Sequence, residues 1–337
     1  MYGSARMKST DARRKKINPE NVLPPYINLF VGYSNNPYNR MHGSSGGIGT
    51  TVLQYLLDEK FVDAVVGVGF DEQDKTKCVY KMVERASQVT ELTGSKYVYM
   101  KLEPLLHLLR QHNDKRIAVI VEPCFVKAVK KMAPHCTYVL SFFCGYNITE
   151  EATDYLIRKA QIDKSNIFSI EYRGGKYPGG FTVHLKNGQS KSFGKENWEL
   201  VDLLFLGNVC GRCRVFISAE ADIVLGDAWI RNLENATLLV LNTKRGNEVI
   251  QQMYQKKILT LFDIEPWDVV RMHAHNLKFK NFGHSRTMKF IVKLFNNPTA
   301  RRFAPFYLLG MASKIRRSLM VGIKKMRLES TRKYENL

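Results

Sequence analysis

The sequence predicts an α/β fold: a mixed, mostly parallel sheet with flanking helices, an inserted β-hairpin and a basic helical C-terminal tail. Three observations lead there. The runs VDAVVGVGF (62–70), RIAVIV before Glu122, and TYVLSFF before Cys144 are apolar without in–out alternation, as strands covered on both faces are. Segments with apolar residues at helical spacing fall between them. In the middle, IEYRGGKYPGGFTVHLKNGQSKSFG instead alternates every second residue and carries an Asn-Gly turn at 187–188, the mark of a hairpin.

Taken in order, residues 1–16 are polar and basic and read as a disordered extension. INLFVGY (27–33) reads as a strand, followed by the turn-rich SNNPYNRMHGSSGGIG. From Gly49 the spacing of Val52, Leu53, Leu56 and Leu57 predicts a helix, and 62–70 a buried strand. A variable charged segment comes next, and EPLLHLLRQHN (103–113) reads as a short amphipathic helix. The strand at 117–121 stops at Glu122-Pro123 and leads to a helix with Phe125, Val126, Ala128, Val129 and Met132 inward. After the strand ending at Cys144, Thr149 is an N-cap candidate for a helix over 149–160. NATLLVLNTKRGNEVIQQM supplies a strand, a turn and a helix that close the domain, placing it at 17–284.

From Ser285 to Leu337 there are thirteen Lys or Arg against two acids, with apolar residues at roughly helical spacing. This basic amphipathic tail, 285–337, suits an interfacial helix lying on an anionic membrane surface. A helical pair packed on the domain with a solvated basic face is the plainer alternative.

The net charge of +20 and pI near 9.6 call for an anionic partner: a phosphorylated substrate, an acidic membrane surface or nucleic acid. Nucleic acid ranks last, because the charge gathers at the termini and no recognition motif is present. No run reaches about 18 apolar residues, so no spanning helix is expected. The N-terminus lacks the apolar core of a signal peptide, which points to a cytoplasmic chain, peripheral at the inner face of the membrane. Six cysteines in 337 residues are too sparse for a disulfide framework and are expected to be reduced.

Cys210 and Cys213 form a C-x-x-C pair, whose short loop can aim two thiolates at one ion or cluster. Cys124 and Cys144 each follow an apolar strand, where open α/β sheets bind ligands, and Cys124 also opens a predicted helix. Together they supply the four thiolates of a [4Fe–4S] cluster. A four-cysteine zinc site uses the same ligands, although zinc ribbons commonly bring two C-x-x-C knuckles. Cys124 and Cys144 could equally be buried core residues. Cys78 and Cys136 have no such placement.

SSGGIGT (44–50) is a glycine-rich turn entering a helix, where backbone N–H groups can meet a phosphate or ring system. Gly46, Gly47 and Gly49 would leave room for that approach, or simply make a tight turn. EYRGGKYPGGF (171–181) sets Arg173 and Lys176 among glycines, as a cationic ligand-facing loop or a hairpin linker. His273, His275 and His284 read as surface residues.

The order GSSGG, LTGSKY, VEPC, FFCG, EYRGGKYPGG, C-x-x-C and ADIVLGDAW resembles the coenzyme F420 hydrogenase/dehydrogenase beta-subunit family over roughly residues 28–260. The resemblance implies an iron–sulfur flavoprotein passing electrons between a [4Fe–4S] cluster, FAD and an organic acceptor. By position, Cys124, Cys144, Cys210 and Cys213 match its cluster cysteines. Ser44, Ser45, Gly46, Gly47, Gly49, Lys96 and Tyr97 match its flavin region, and Arg173, Lys176 and Asp227 become candidate flavin or substrate contacts. An electron donor such as ferredoxin is the implied partner. Arg214 stands where F420-using members often carry an acid, and the GDAW ending with its cationic C-terminus resembles members associated with cell-surface polysaccharide or glycolipid precursors. A rival reading is a non-catalytic zinc-binding interaction protein with a basic tail.

Overall fold

The structure, a computed structural model, describes residues 17–193, 205–207, 209–230 and 233–282. The basic extension and the tail 285–337 lie outside the described residues. Eight strands form the main sheet: β1 (Asn28–Ser34), β2 (Ala64–Phe70), β3 (Cys78–Val83), β4 (Ile117–Val121), β5 (Cys136–Phe142), β9 (Ile223–Asp227), β10 (Thr237–Leu241) and β11 (Leu259–Asp263). Their order across it is β11-β1-β10-β9-β5-β4-β2-β3. The centre is parallel, β2 beside β4, β4 beside β5 and β5 beside β9. Both flanks are antiparallel: β3 on β2 at one edge, and β9, β10, β1 and β11 in succession at the other. Strands β1, β2, β4, β5 and β9 therefore run one way, and β3, β10 and β11 the other.

The apolar runs are explained by burial on both faces. Ala64 and Val66 face one core with Leu105, Leu109, Val126, Val129 and Val269. Val65 faces the other, with Ile48, Val52, Leu56, Val249 and Ile250. The covering helices Ile48–Asp58, Leu102–Gln111, Val126–Met132 and Lys244–Gln255 fall close to the positions read from periodicity.

The predicted hairpin is part of a three-stranded antiparallel sheet, β6 (Ile167–Gly174), β7 (Gly180–Leu185) and β8 (Ser190–Phe193). Its Asn187-Gly188 turn has Gly188 at φ +83°. This sheet buries Ile170, Tyr172, Phe181 and Val183 against Leu156 and Ile157 of the helix Glu151–Lys159. Thr149 is not that helix's cap: Glu150 holds the N-cap position, with no side-chain cap. The charged stretch after Phe70 gives way to β3, CVYKMV, a run interrupted only by Lys81. No helix among the described residues is long and apolar enough to cross a membrane.

Candidate functional site

The carboxyl ends of the parallel strands open onto a cavity of about 370 Å³, a size typical of small-ligand sites. Val68 of β2, Ile120 of β4, Phe142 of β5 and Leu225–Asp227 of β9 reach it. It is closed by the turn at Gly43–Gly47 and by the segment Gly94–Tyr97. The Ser44 hydroxyl joins these two loops by accepting the Ser95 N–H at 2.6 Å. Ser44, Ser45, Gly47, Gly49, Lys96, Tyr97 and Asp227 all line the cavity.

Gly46 and Gly47 are also required by packing. Gly46 and Gly47 have φ of +66° and +71°, where a side chain is strained. A Cβ on Gly47 would also stand 2.1 Å from the Asn39 carbonyl oxygen, and one on Gly46 2.9 Å from the Thr237 nitrogen. The chain's own backbone thus stands where a Cβ on either residue would go. Asn235, itself at φ +53°, accepts the Gly46 N–H at 2.8 Å and donates to the Arg40 carbonyl.

Lys96 donates to the Leu92 and Thr93 carbonyls at 2.9 and 2.8 Å. Burial pulls its ammonium down to about 8. Burial likewise raises the Tyr97 phenol. Asp227 accepts from the Ser45 hydroxyl and, at 2.7 Å, from Arg173 of β6. Arg173 is nearly buried, with its guanidinium over the rings of Tyr177 and Trp229, and stands behind Asp227 as a tie between the small sheet and the cavity wall. Lys176 is exposed on the connecting loop and does not line the cavity.

The four cysteines come together. Cys124, Cys144, Cys210 and Cys213 line one small pocket with Glu122, Asn147, Val209, Val215 and Lys280. Cys124 lies in the turn after β4 rather than in the helix that follows it, and Cys210 begins a short 3₁₀ turn, Cys210–Arg212. A hydrogen bond from Cys124 lowers the Cys213 thiol, helped by nearby Lys280, and the same bond raises Cys124. Burial pushes Cys144 up to about 12 and also raises Cys210. Cys78 and Cys136 are buried in separate cores. Among the described residues, no three or more His, Cys, Asp or Glu side chains close on a point that could hold one metal ion.

Glu122, Cys144 and Asn147 line both spaces, so the cysteine pocket and the large cavity share a wall. Burial raises the Glu122 carboxyl to about 7, and Asn147 donates to it at 3.3 Å. Glu122 is the acid that ends an apolar strand in VEPC, a signal the sequence carried. Lys280, on the helix Ala274–Phe282, had no local signal, because only the tertiary fold brings it to the cysteines. His273 is not a surface residue: it is 3% exposed, stacks on Phe143 at 4.7 Å and lines the large cavity. The His275 side chain and His284 lie outside the described residues.

Two family models match the chain, both describing the beta subunit of coenzyme F420 hydrogenase/dehydrogenase. The model of its N-terminal part matches residues 29–107, and the model of its C-terminal part matches residues 114–280. The coenzyme F420-dependent sulfite reductase of Methanocaldococcus jannaschii is 22% identical over 263 residues, 72% of this chain and 38% of that protein. The F420-dependent formate dehydrogenase subunit beta of the same organism is 25% identical over 217 residues, 61% of this chain and 54% of its own. The chloroplastic 7-hydroxymethyl chlorophyll a reductase of Oryza sativa subsp. japonica is 23% identical over 219 residues, 60% and 45% respectively. The chain thus spans from 38% to 54% of the length of these relatives. A chain in the F420-reducing [NiFe] hydrogenase complex from Methanosarcina barkeri shares the fold, with TM-score 0.60 and 17% identity over 77% of this chain and 91% of that one.

Proposed function

Because the chain belongs to the coenzyme F420 hydrogenase/dehydrogenase beta-subunit family, we propose that it is an iron–sulfur flavoprotein oxidoreductase. The observation that carries this reading is the shared wall: four cysteines around one pocket, separated by Glu122, Cys144 and Asn147 from a cavity of ligand size. Cys124, Cys144, Cys210 and Cys213 would hold a [4Fe–4S] cluster. The donor set suits it: four cysteines line one pocket, the number of thiolates that such a cluster takes. Lys280, 6% exposed, adds a buried cation beside what would be an anionic centre.

FAD would lie in the large cavity, with its ring system between the Ser44–Gly49 turn and Gly94–Tyr97. Bound there, a flavin supplies hydride exchange with an organic molecule and the cluster supplies single-electron transfer. The chain's own residues set the surroundings. Ser44 ties the two loops, Arg173 and Ser45 fix Asp227 in the cavity wall, and Phe142, Phe143 and Ile148 give that wall apolar surface. The electron donor in this reading is a carrier such as ferredoxin. The acceptor is F420, which the names of two relatives support, or a cell-surface polysaccharide or glycolipid precursor, which the GDAW ending supports. The basic tail would hold the protein at an anionic membrane surface.

Purification without air tests the core of this proposal. The expected protein is brown-yellow, with about four irons per chain and flavin released on heating. A colourless protein containing zinc would overturn it in favour of the interaction-protein reading.

A further inference from the structure

We infer that the C-x-x-C loop is the docking surface for a small acidic electron-carrier protein. The inference rests on the cluster reading above and assigns its point of electron entry. The sequence through the loop is Val209-Cys210-Gly211-Arg212-Cys213-Arg214-Val215, with no acid from Gly207 to Ala219. Arg212 and Arg214 are both exposed. The two valines that bracket them are large apolar residues left in solvent, Val209 53% and Val215 37% exposed, and both line the cysteine pocket. Cys124, across that pocket, is itself exposed.

Apolar side chains and arginines around a shallow recess form the composition favoured at protein interfaces. The same cations steer an oppositely charged partner toward the recess and speed its encounter. The residues common to the cysteine pocket and the large cavity are Glu122, Cys144 and Asn147, and the exposed valines and arginines of this loop are not among those lining the cavity. The chemistry selects an acidic protein rather than a small anion. Two exposed valines offer nothing to a phosphate or carboxylate, but they offer contact area to a folded partner.

The test uses the full chain purified without air and a small acidic [4Fe–4S] ferredoxin as probe. Stopped-flow spectroscopy follows electron transfer from reduced ferredoxin, and calorimetry follows binding of the oxidised form. The double variant Arg212→Glu with Arg214→Glu should lower the second-order rate at low salt by at least about tenfold and remove most of its salt dependence. Replacing both arginines with lysine should keep the rate near wild type. Iron content and bleaching by dithionite should be unchanged in each variant. Equal ferredoxin rates in wild type and the Glu variant would overturn this inference alone, as would a wild-type rate indifferent to salt. A wild type that holds no iron, or that dithionite cannot bleach, would instead fail at the cluster reading and take this inference with it.

Discussion

Cys124, in the turn after β4, and Cys213, in the C-x-x-C loop, line the same pocket. Two segments far apart in sequence thereby present sulfur to the same space. Replacing any one of Cys124, Cys144, Cys210 or Cys213 with serine should remove iron and the broad visible absorbance together. Cys78→Ser and Cys136→Ser should keep both, because those thiols are buried in other cores. Iron assay and absorbance after anaerobic purification check this.

The Lys280 charge opposes the burial that raises Cys144 and Cys210, and adds to the hydrogen bond from Cys124 in lowering Cys213. The same charge favours the more negative, reduced form of a cluster held there. Lys280→Gln should retain iron and shift the cluster's midpoint potential downward. A redox titration followed by electron paramagnetic resonance reads the shift, and an unchanged potential would place the ammonium outside the cluster's field.

Arg173 and Asp227 make a nearly buried pair at 2.7 Å. Arg173→Met should destabilise the chain by about 3 kcal/mol, because it leaves the Asp227 carboxylate without its cation. Adding Asp227→Asn should recover much of that loss. Urea denaturation of the two single variants and the double variant closes the cycle.

Gly47→Ala should cost about 3 kcal/mol or more, combining a left-handed backbone with collision against Asn39. Gly175→Ala also has a positive φ, +82°, but meets nothing within 4 Å, and should cost only about 1 kcal/mol. Thermal melts of the two variants compare directly. Loss of flavin from the Gly47 variant would accompany unfolding and would not report ligand contact.

Burial brings the Lys96 ammonium from 10.5 down to about 8. Below about 8 it is protonated both folded and unfolded, so it adds no pH dependence there. Between about 8 and 10.5 the unfolded chain holds the extra proton, so stability rises with pH. At about 1.4 kcal/mol per pH unit, Lys96 should add ~3 kcal/mol across that window. Lys96→Met should lack this rise, which denaturant melts at pH 7.5 and 10.5 would measure.

What the sequence determined by itself follows from patterns that one strand or helix carries alone. Val65 and Val66 face opposite cores, so their run is apolar throughout and reads as a covered strand without knowledge of its neighbours. The position of Cys124 and Cys144 after such strands, and the spacing of Cys210 and Cys213, were equally local. The tertiary structure decided what depends on partners distant in the chain. A side chain at Gly47 would collide with Asn39, and Arg173 ties down Asp227 from the small sheet. Lys280 reaches the cysteines only when the helix Ala274–Phe282 folds back over them, and His273 is buried by the same packing. Strand order and the antiparallel flanks were hidden for the same reason: hydrophobic periodicity reports which faces are buried, and hydrogen-bonded pairing is set between segments.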